Sequence, residues 1–391
     1  MKQLPSKLLL ATAIAAISTP SAYAAESIAE AFQNGETSVS FRLRYEDVED
    51  DSAAEDANAL TLKSRLTFKT DEFKSVSALV EVDDVTELDD VEYNDGVNGM
   101  GTKTKIVDPE GTEVNQAYLA FTGLSDTTVK VGRQRILLDN QRFVGGVGFR
   151  QNEQTYDSLS VKNSSLTDTD VFYAYINDVH GITGSDSKHK THLLNVKYKG
   201  LPFGALTGYY YNFEEDKVDG YDLDTYGVRL SGSQDAGNTK LLYTAEYATQ
   251  DQNNGSKPDY YLLEGGVKVS GVTAKLGFEV LESDNDKGFN TPLATKHKFQ
   301  GWADQFLATP TDGIEDLYVS VGTKLAGVKL LAVYHDYEAE DSGADLGSEL
   351  GFLAAKKFGK NYGLSLKYAD YDAGDTKDDK SKLWLTATAK F

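Results

Sequence analysis

The stretch SKLWLTATAKF (381–391) decides the fold. Leu383, Leu385, Ala387, Ala389 and Phe391 fall on one face of an extended strand, and Lys382, Trp384, Thr386, Thr388 and Lys390 on the other. Successive side chains of a strand point to opposite faces, so this is a two-faced strand that runs to the last residue. Soluble domains more often end in frayed polar residues. A terminal strand with an aromatic end is instead what a closed sheet needs to pair its last strand with its first.

The opposite end agrees. MKQLPSKLLLATAIAAISTPSAYA (1–24) has two lysines, an apolar run from Leu8 to Ile17, and Ala22-Tyr23-Ala24 as a small-residue cleavage site. That is the pattern of a secretory signal peptide. The expected layout is therefore a signal peptide over 1–24, a short periplasmic segment over 25–36 and one transmembrane barrel over 37–391. After Ala24 no segment approaches the roughly 20 apolar residues of a membrane helix. Mean hydropathy is −0.42. The chain carries 23 Tyr and 17 Phe but no Cys, which suits many strands with aromatic belts.

Net charge is −22, which argues against a nucleic-acid partner because phosphate binding needs a basic footprint. The acid is clustered at 46–57, 83–95, 213–224, 337–345 and 371–380. Between the clusters the pattern alternates with a period of two, giving eighteen strand candidates of about ten residues, the span of a tilted membrane strand. Connections alternate in length. Those after even strands are short: 70–73, 123–126, 200–203, 233–238, 270–271, 326–327 and 359–361. Those after odd strands are long and hold most of the acid. Outer-membrane barrels sort their loops in this way, with short periplasmic turns and longer extracellular loops. The expected fold is an all-β, antiparallel up-and-down transmembrane barrel of about 18 strands, apolar outside and polar inside. In strand one Val39, Phe41, Leu43 and Tyr45 oppose Ser40, Arg42, Arg44 and Glu46.

Three stretches, 25–47, 129–161 and 289–322, resemble the alginate-export family of outer-membrane porins, and YHDYEAE (334–340) extends the third. The resemblance implies an 18-stranded monomeric channel in the bacterial outer membrane. The family's dedicated polysaccharide exporter has a long periplasmic plug loop late in the barrel. Here the matching turn, Phe358 to Tyr362, is too short to plug anything, which favours a channel for small hydrophilic, anionic or carbohydrate-like solutes. Secretion of a uronate polysaccharide such as alginate is the alternative, and a membrane-embedded hydrolase or adhesin a further one.

Pore selectivity comes from charged rings and narrowing loops. Alternation turns Arg42, Arg44, Lys63, Arg65, Arg229 and Lys275 inward, with Glu81, Asp83 and Glu279 as acidic counterparts. The segment RQRILLDNQRFVGGVGFRQNEQ (133–154) is the expected constriction, carrying Arg135, Arg142 and Arg150 near Asp139 and Glu153. Straight alternation from Val129 and Val131 aims Arg133 at lipid, so a bulge near Gly132 is expected to turn it inward. No catalytic set, metal site or cofactor is expected: His335 and Asp336 are neighbours on a strand and face opposite ways. Expected partners are outer-membrane lipid and lipopolysaccharide, small solutes, and the outer-membrane assembly machinery, which would read the terminal strand ending in Phe391.

Overall fold

The structure is a computed structural model that describes residues 25–216, 222–374 and 378–391. The expected signal peptide lies outside the described residues.

Twenty strands are described. They are β1 (Glu36–Asp50), β2 (Ala57–Lys69), β3 (Val76–Glu87), β4 (Gly111–Leu124), β5 (Thr127–Gln134), β6 (Thr155–Leu166), β7 (Thr169–His180), β8 (Asp186–Leu201), β9 (Gly204–Glu214), β10 (Asp222–Ala236), β11 (Thr239–Gln252), β12 (Asp259–Val269), β13 (Val272–Leu281), β14 (Ser283–Asp284), β15 (Lys287–Gly288), β16 (Ile314–Leu325), β17 (Val328–Glu338), β18 (Asp345–Phe358), β19 (Tyr362–Asp372) and β20 (Lys380–Lys390). The pair β14–β15 is a small hairpin inside a loop. The other eighteen form one antiparallel sheet in which each strand pairs with its neighbour in sequence, and β20 pairs with β1. The sheet is closed. Closure leaves no free edge strand, as a membrane requires, except where β4 runs on past the end of β5 toward Gly111.

The end of the chain does what its pattern implies. Phe391 N–H donates to the Val39 carbonyl at 2.8 Å, and Val39 N–H donates to the Phe391 carbonyl at 3.0 Å. Its ring meets Tyr362 edge-on at 5.9 Å. Large apolar side chains such as Leu66, Leu119, Leu263, Leu276 and Leu364 lie exposed on the outer face, while Thr61, Asp83, Thr225 and Glu349 are buried inside. Strands run up to 16 residues, longer than the expected ten, and β10 continues through 233–236, leaving Gly237-Asn238 as its turn.

Before β1, helix α1 (Ile28–Gln33) is capped by Ser27, whose hydroxyl accepts from Glu30 N–H. Asp71 N–H donates to the Ala31 carbonyl and Phe32 stacks on Phe68, which fixes the segment to the β2–β3 turn.

The lumen is not simply wet. Phe143 and Val144 from the loop 135–154, and Phe289, Leu293 and Ala303 from the loop 282–313, pack with Tyr209, Tyr211 and Tyr260 of the wall into an apolar core inside the barrel. Two loops thus fold inward and narrow the passage.

Candidate functional site: the loop-lined constriction

Constriction begins where β5 stops. After Gln134 the chain turns into the lumen, crosses it, and returns to the wall at Thr155. The cations of β1 and β2 hold it there. Arg42 donates to Gln151 Oε1 at 2.7 Å and to the Gly148 carbonyl at 2.9 Å, and it also binds the Arg150 carbonyl. Arg44 donates to the Phe149 carbonyl at 2.7 Å, with its guanidinium 4.3 Å over the Phe149 ring. A planar fork of donors suits this task, because a crossing loop leaves carbonyls that no strand satisfies.

Carboxylates complete the lock. Arg65 makes a two-pronged pair with Asp83 at 2.6 and 2.7 Å and reaches Glu153 at 3.0 Å. Lys63 meets Asp83 at 2.8 Å. Arg135 bridges Glu153 at 2.6 Å and Glu81 at 2.9 Å. Burial opposes ionisation of Glu153, but Lys63, Arg65 and Arg135 outweigh it and hold its carboxyl at about 2. Arg150 sits among Glu46 at 2.9 Å and Asp304 at 3.0 Å. Burial works against its charge, and those acids with Asp108 raise its pKa.

The second loop lies against the first. Val144 and Leu293 form a parallel bridge, and Gly145 N–H donates to the Leu293 carbonyl at 2.8 Å. A Cβ on Gly145 would fall 2.1 Å from Thr295 Oγ1, so glycine is required by the close approach. Arg142 is buried against Glu279 at 2.9 Å and Gln300 at 3.1 Å. Glu349 of β18 accepts from Trp302 and Ala303 N–H beneath Gly301, which has φ +81°. Lys367 of β19 lies 4.1 Å from the Trp302 ring, 4.5 Å from Phe149 and 5.2 Å from Trp384, with Nζ 2.6 Å from His297 Nε2. Burial pushes His297 down to about 3, so it is neutral beside Asp304 at 2.6 Å.

Beneath the crossing loop is an open cavity of about 440 Å³. Lys130, Lys162, Lys197 and Arg135 line it together with Asp139, Asp170 and the apolar Leu137 and Phe172. Lys197 pairs with Asp139 at 2.8 Å. Among the described residues no acid lies within ion-pair distance of Lys130 or Lys162, nor of Lys296 and Lys298 in the second loop. Further round the wall, Arg229 pairs with Glu246, and Lys275 with Glu264 at 2.9 Å.

The family model described as Alginate export matches residues 35–271, more than half of the chain. The chain belongs to the alginate-export family. No curated protein matches the sequence. Among solved structures, Acinetobacter baumannii OccAB4 superposes with a TM-score of 0.72 at 14% identity, covering 91% of this chain and 98% of that one. Pseudomonas aeruginosa OpdK with vanillate gives 0.72 at 11% identity, covering 92% and 99%. Pseudomonas aeruginosa OccD3 (OpdP) gives 0.69 at 15% identity, covering 92% and 91%. At such identities these likenesses concern the fold: the closed barrel of bacterial outer-membrane porins.

In this alginate-export family barrel, Arg42, Arg44, Lys63, Arg65, Glu81, Asp83, Arg135, Arg142 and Arg150 converge at the crossing loop, and Arg229 and Lys275 face the lumen elsewhere. Arg133 does not join them. The register Val131↔Leu159, Gly132↔Ser158, Arg133↔Asp157 is unbroken, so no bulge forms at Gly132 and Arg133 stays on the outer face. It is tolerated there by Asp157 at 3.0 Å and the Val114 carbonyl at 3.1 Å. Bulges form on neighbouring strands instead, at Asn115 of β4 and Asn177 of β7. His335 of β17 pairs with Asp316 of the preceding strand β16 at 2.8 Å, not with Asp336.

Sequence reasoning passed over Lys130 and Lys162, although the alternation that picked out Arg42 also turns both inward. It also missed the loop 282–313. Its signal was composition: Phe289, Leu293, Phe299, Trp302 and Phe306 are too apolar for a loop facing water.

Proposed function

We propose that this barrel is a monomeric, passive diffusion channel for small hydrophilic solutes, with a preference for anionic or carbohydrate-like ones. The observation that carries the reading is the pair Lys130 and Lys162 on the cavity below the crossing loop, lumen-facing cations without an acid partner among the described residues. Loop arginines are engaged by carboxylates and carbonyls; Lys162, and Lys130 with Nζ 4.5 Å over the Tyr118 ring, are not, although Asp139 and Asp170 line the same cavity. A lysine is a compact point charge on a flexible stem, suited to a passing anion. One superposable barrel was solved with vanillate, a carboxylate, which supports the anion preference.

Reversal potentials in a salt gradient across planar bilayers test it. Anion preference is expected, reduced when Lys130 and Lys162 are changed together to glutamine. Absence of conductance would remove the channel reading, and cation preference would remove the assignment to these lysines.

Uronate polysaccharide secretion is the second reading, favoured by the family match. Two loops folded across the lumen and the three-residue turn 359–361 favour small solutes over a polymer. Tight binding of uronate polymer without small-solute flux would reverse that order. We further propose that 1–24 is removed on export and that Phe391 is part of what the assembly machinery reads.

A further inference from the structure

The acid excess of the chain disappears along one part of its periplasmic rim. From β11 to β20 the lower strand ends and turns, 239–244, 265–276, 317–334, 350–366 and 385–391, hold no Asp or Glu. They hold lysines instead. Lys268 lies between Val267 and Val269, both exposed on the outer face, so alternation turns it into the lumen. In the same way the outward Leu241, Leu325, Phe358 and Phe391 leave Lys240, Lys324, Lys357 and Lys390 facing inward. Lys329, the register partner of Lys324, joins them.

Two of these lysines oppose each other across β11 and β12, Lys240 against Lys268, and two across β16 and β17, Lys324 against Lys329. Like charges directly opposite on neighbouring strands are destabilising. Among the described residues no acid comes within ion-pair distance of any of the six. Asp235 is the partner of Lys240 on its other side, and it too stays beyond that distance. The arc is uncompensated positive charge around the inner end of the lumen.

The outer mouth has the opposite sign. Asp89, Asp90, Glu110 and Asp341 are exposed there, with no cation in ion-pair distance among the described residues. The loop 88–110 leans over the lumen, since Gln151 N–H donates to Asp108 Oδ1 at 2.6 Å and Asn152 Nδ2 to the Pro109 carbonyl at 3.1 Å. An apolar band about 25 Å tall separates the two mouths. The Debye length is about 10 Å at 0.1 M salt, so neither mouth cancels the other.

We propose, resting on the channel reading, that the barrel rectifies: it conducts better with the extracellular side positive than with it negative. With the outside positive, anions enter from the periplasm past the lysines, and cations enter from outside past the acids. Each ion comes in through the mouth that concentrates it, and the lumen fills with carriers. With the outside negative, each must come in past charge of its own sign, and the lumen is depleted. The lysine arc is thus the collecting end for small anions leaving the periplasm, with Lys240, Lys268, Lys324 and Lys329 as its centre.

Current–voltage curves of single barrels in planar bilayers with potassium chloride test it. Asn238→Cys on a periplasmic turn reports orientation, since the chain has no other cysteine and a thiol reagent reaches it faster from the periplasmic chamber. In about 0.1 M salt the outside-positive current is expected to be about two-fold the reverse, falling to parity in about 1 M, where the Debye length is about 3 Å. Lys240→Gln/Lys268→Gln/Lys324→Gln/Lys329→Gln should bring parity at low salt. Lys356→Gln removes a lysine from the same rim, but on the outer face over the Phe358 ring, and should leave the ratio unchanged. Conductance with parity at low salt, or with the opposite sense, would overturn rectification and leave the channel standing. A ratio that survives the four glutamines, or persists at high salt, would overturn the assignment to the lysines. No conductance at all would remove the channel reading, and rectification with it.

Discussion

Two sides of the same lumen use cations differently. On β1 and β2, Arg42, Arg44, Lys63 and Arg65 are engaged with loop carbonyls and with Asp83 and Glu153. On β5 and β6, Lys130, with Nζ 4.5 Å over the Tyr118 ring, and Lys162 line the cavity with no acid in ion-pair distance among the described residues. The first set builds the constriction; the second is free to meet what passes it. The contrast teaches that inward-facing charge is not by itself a selectivity element. A charge acts on solutes only when the fold has not already used it.

The largest effect expected from breaking this contrast is Arg150→Ala. Glu46 would remain buried without its cation, while Asp304 keeps Lys382 at 2.8 Å, a loss of about 3–5 kcal/mol. The unfolding temperature in detergent should drop, and single-channel current should become larger and noisier as the loop 135–154 leaves its seat.

Acid comes next. Glu153 is held at about 2 against an ordinary 4.5, so its contribution is complete above 4.5 and is lost as pH falls toward 2. It is worth up to about 3 kcal/mol. His297 is held at about 3 against 6.5, so the unfolded chain takes up its proton first and stability falls from pH 6.5 toward 3. Both slopes have the same sign. Melting curves between pH 7 and 3 should show progressive loss, with the portion below 4.5 flattened in Glu153→Gln.

Arg42→Ala should cost about 2 kcal/mol, since charged hydrogen bonds to loop carbonyls vanish. Arg42→Lys should restore less than half of that, a single ammonium being unable to reproduce the fork. Guanidinium unfolding midpoints separate the two.

The smallest effect on stability, and the sharpest on permeation, belongs to Lys130→Glu/Lys162→Glu. Stability should stay within about 0.5 kcal/mol of the parent. The reversal potential should move toward cation preference. Equal shifts from Arg42 and from this pair would erase the distinction between the two walls.

Much of the barrel was legible because period two, turn length and membrane thickness are local or nearly local facts. Leu43 and Arg44 declare their faces to anyone who alternates them. Partners inside the lumen are not local. Nothing near Arg150 in sequence points to Glu46 or Asp304, each more than a hundred positions away. Arg133 shows the other limit: alternation placed it correctly on the outer face, and the cost of that placement argued wrongly for a bulge. What the pattern could not display was Asp157 across the strand and an opened carbonyl at Val114, which together make the outer position tolerable.

The β1–β20 joint has a consequence for folding order. Ser40 meets Lys390, some 350 positions later, so the cylinder cannot shut until β20 is available to pair with β1. Such distant pairing is slow. Until then β1 and β20 are open edges able to recruit another chain. Arg42 and Arg44 grip the first inward loop from one of those edges, while the second loop meets Trp384 of the other edge-on through His297 at 5.6 Å. Shutting the cylinder and seating its contents are therefore one cooperative event, and an unclosed intermediate would be a wide, leaky trough.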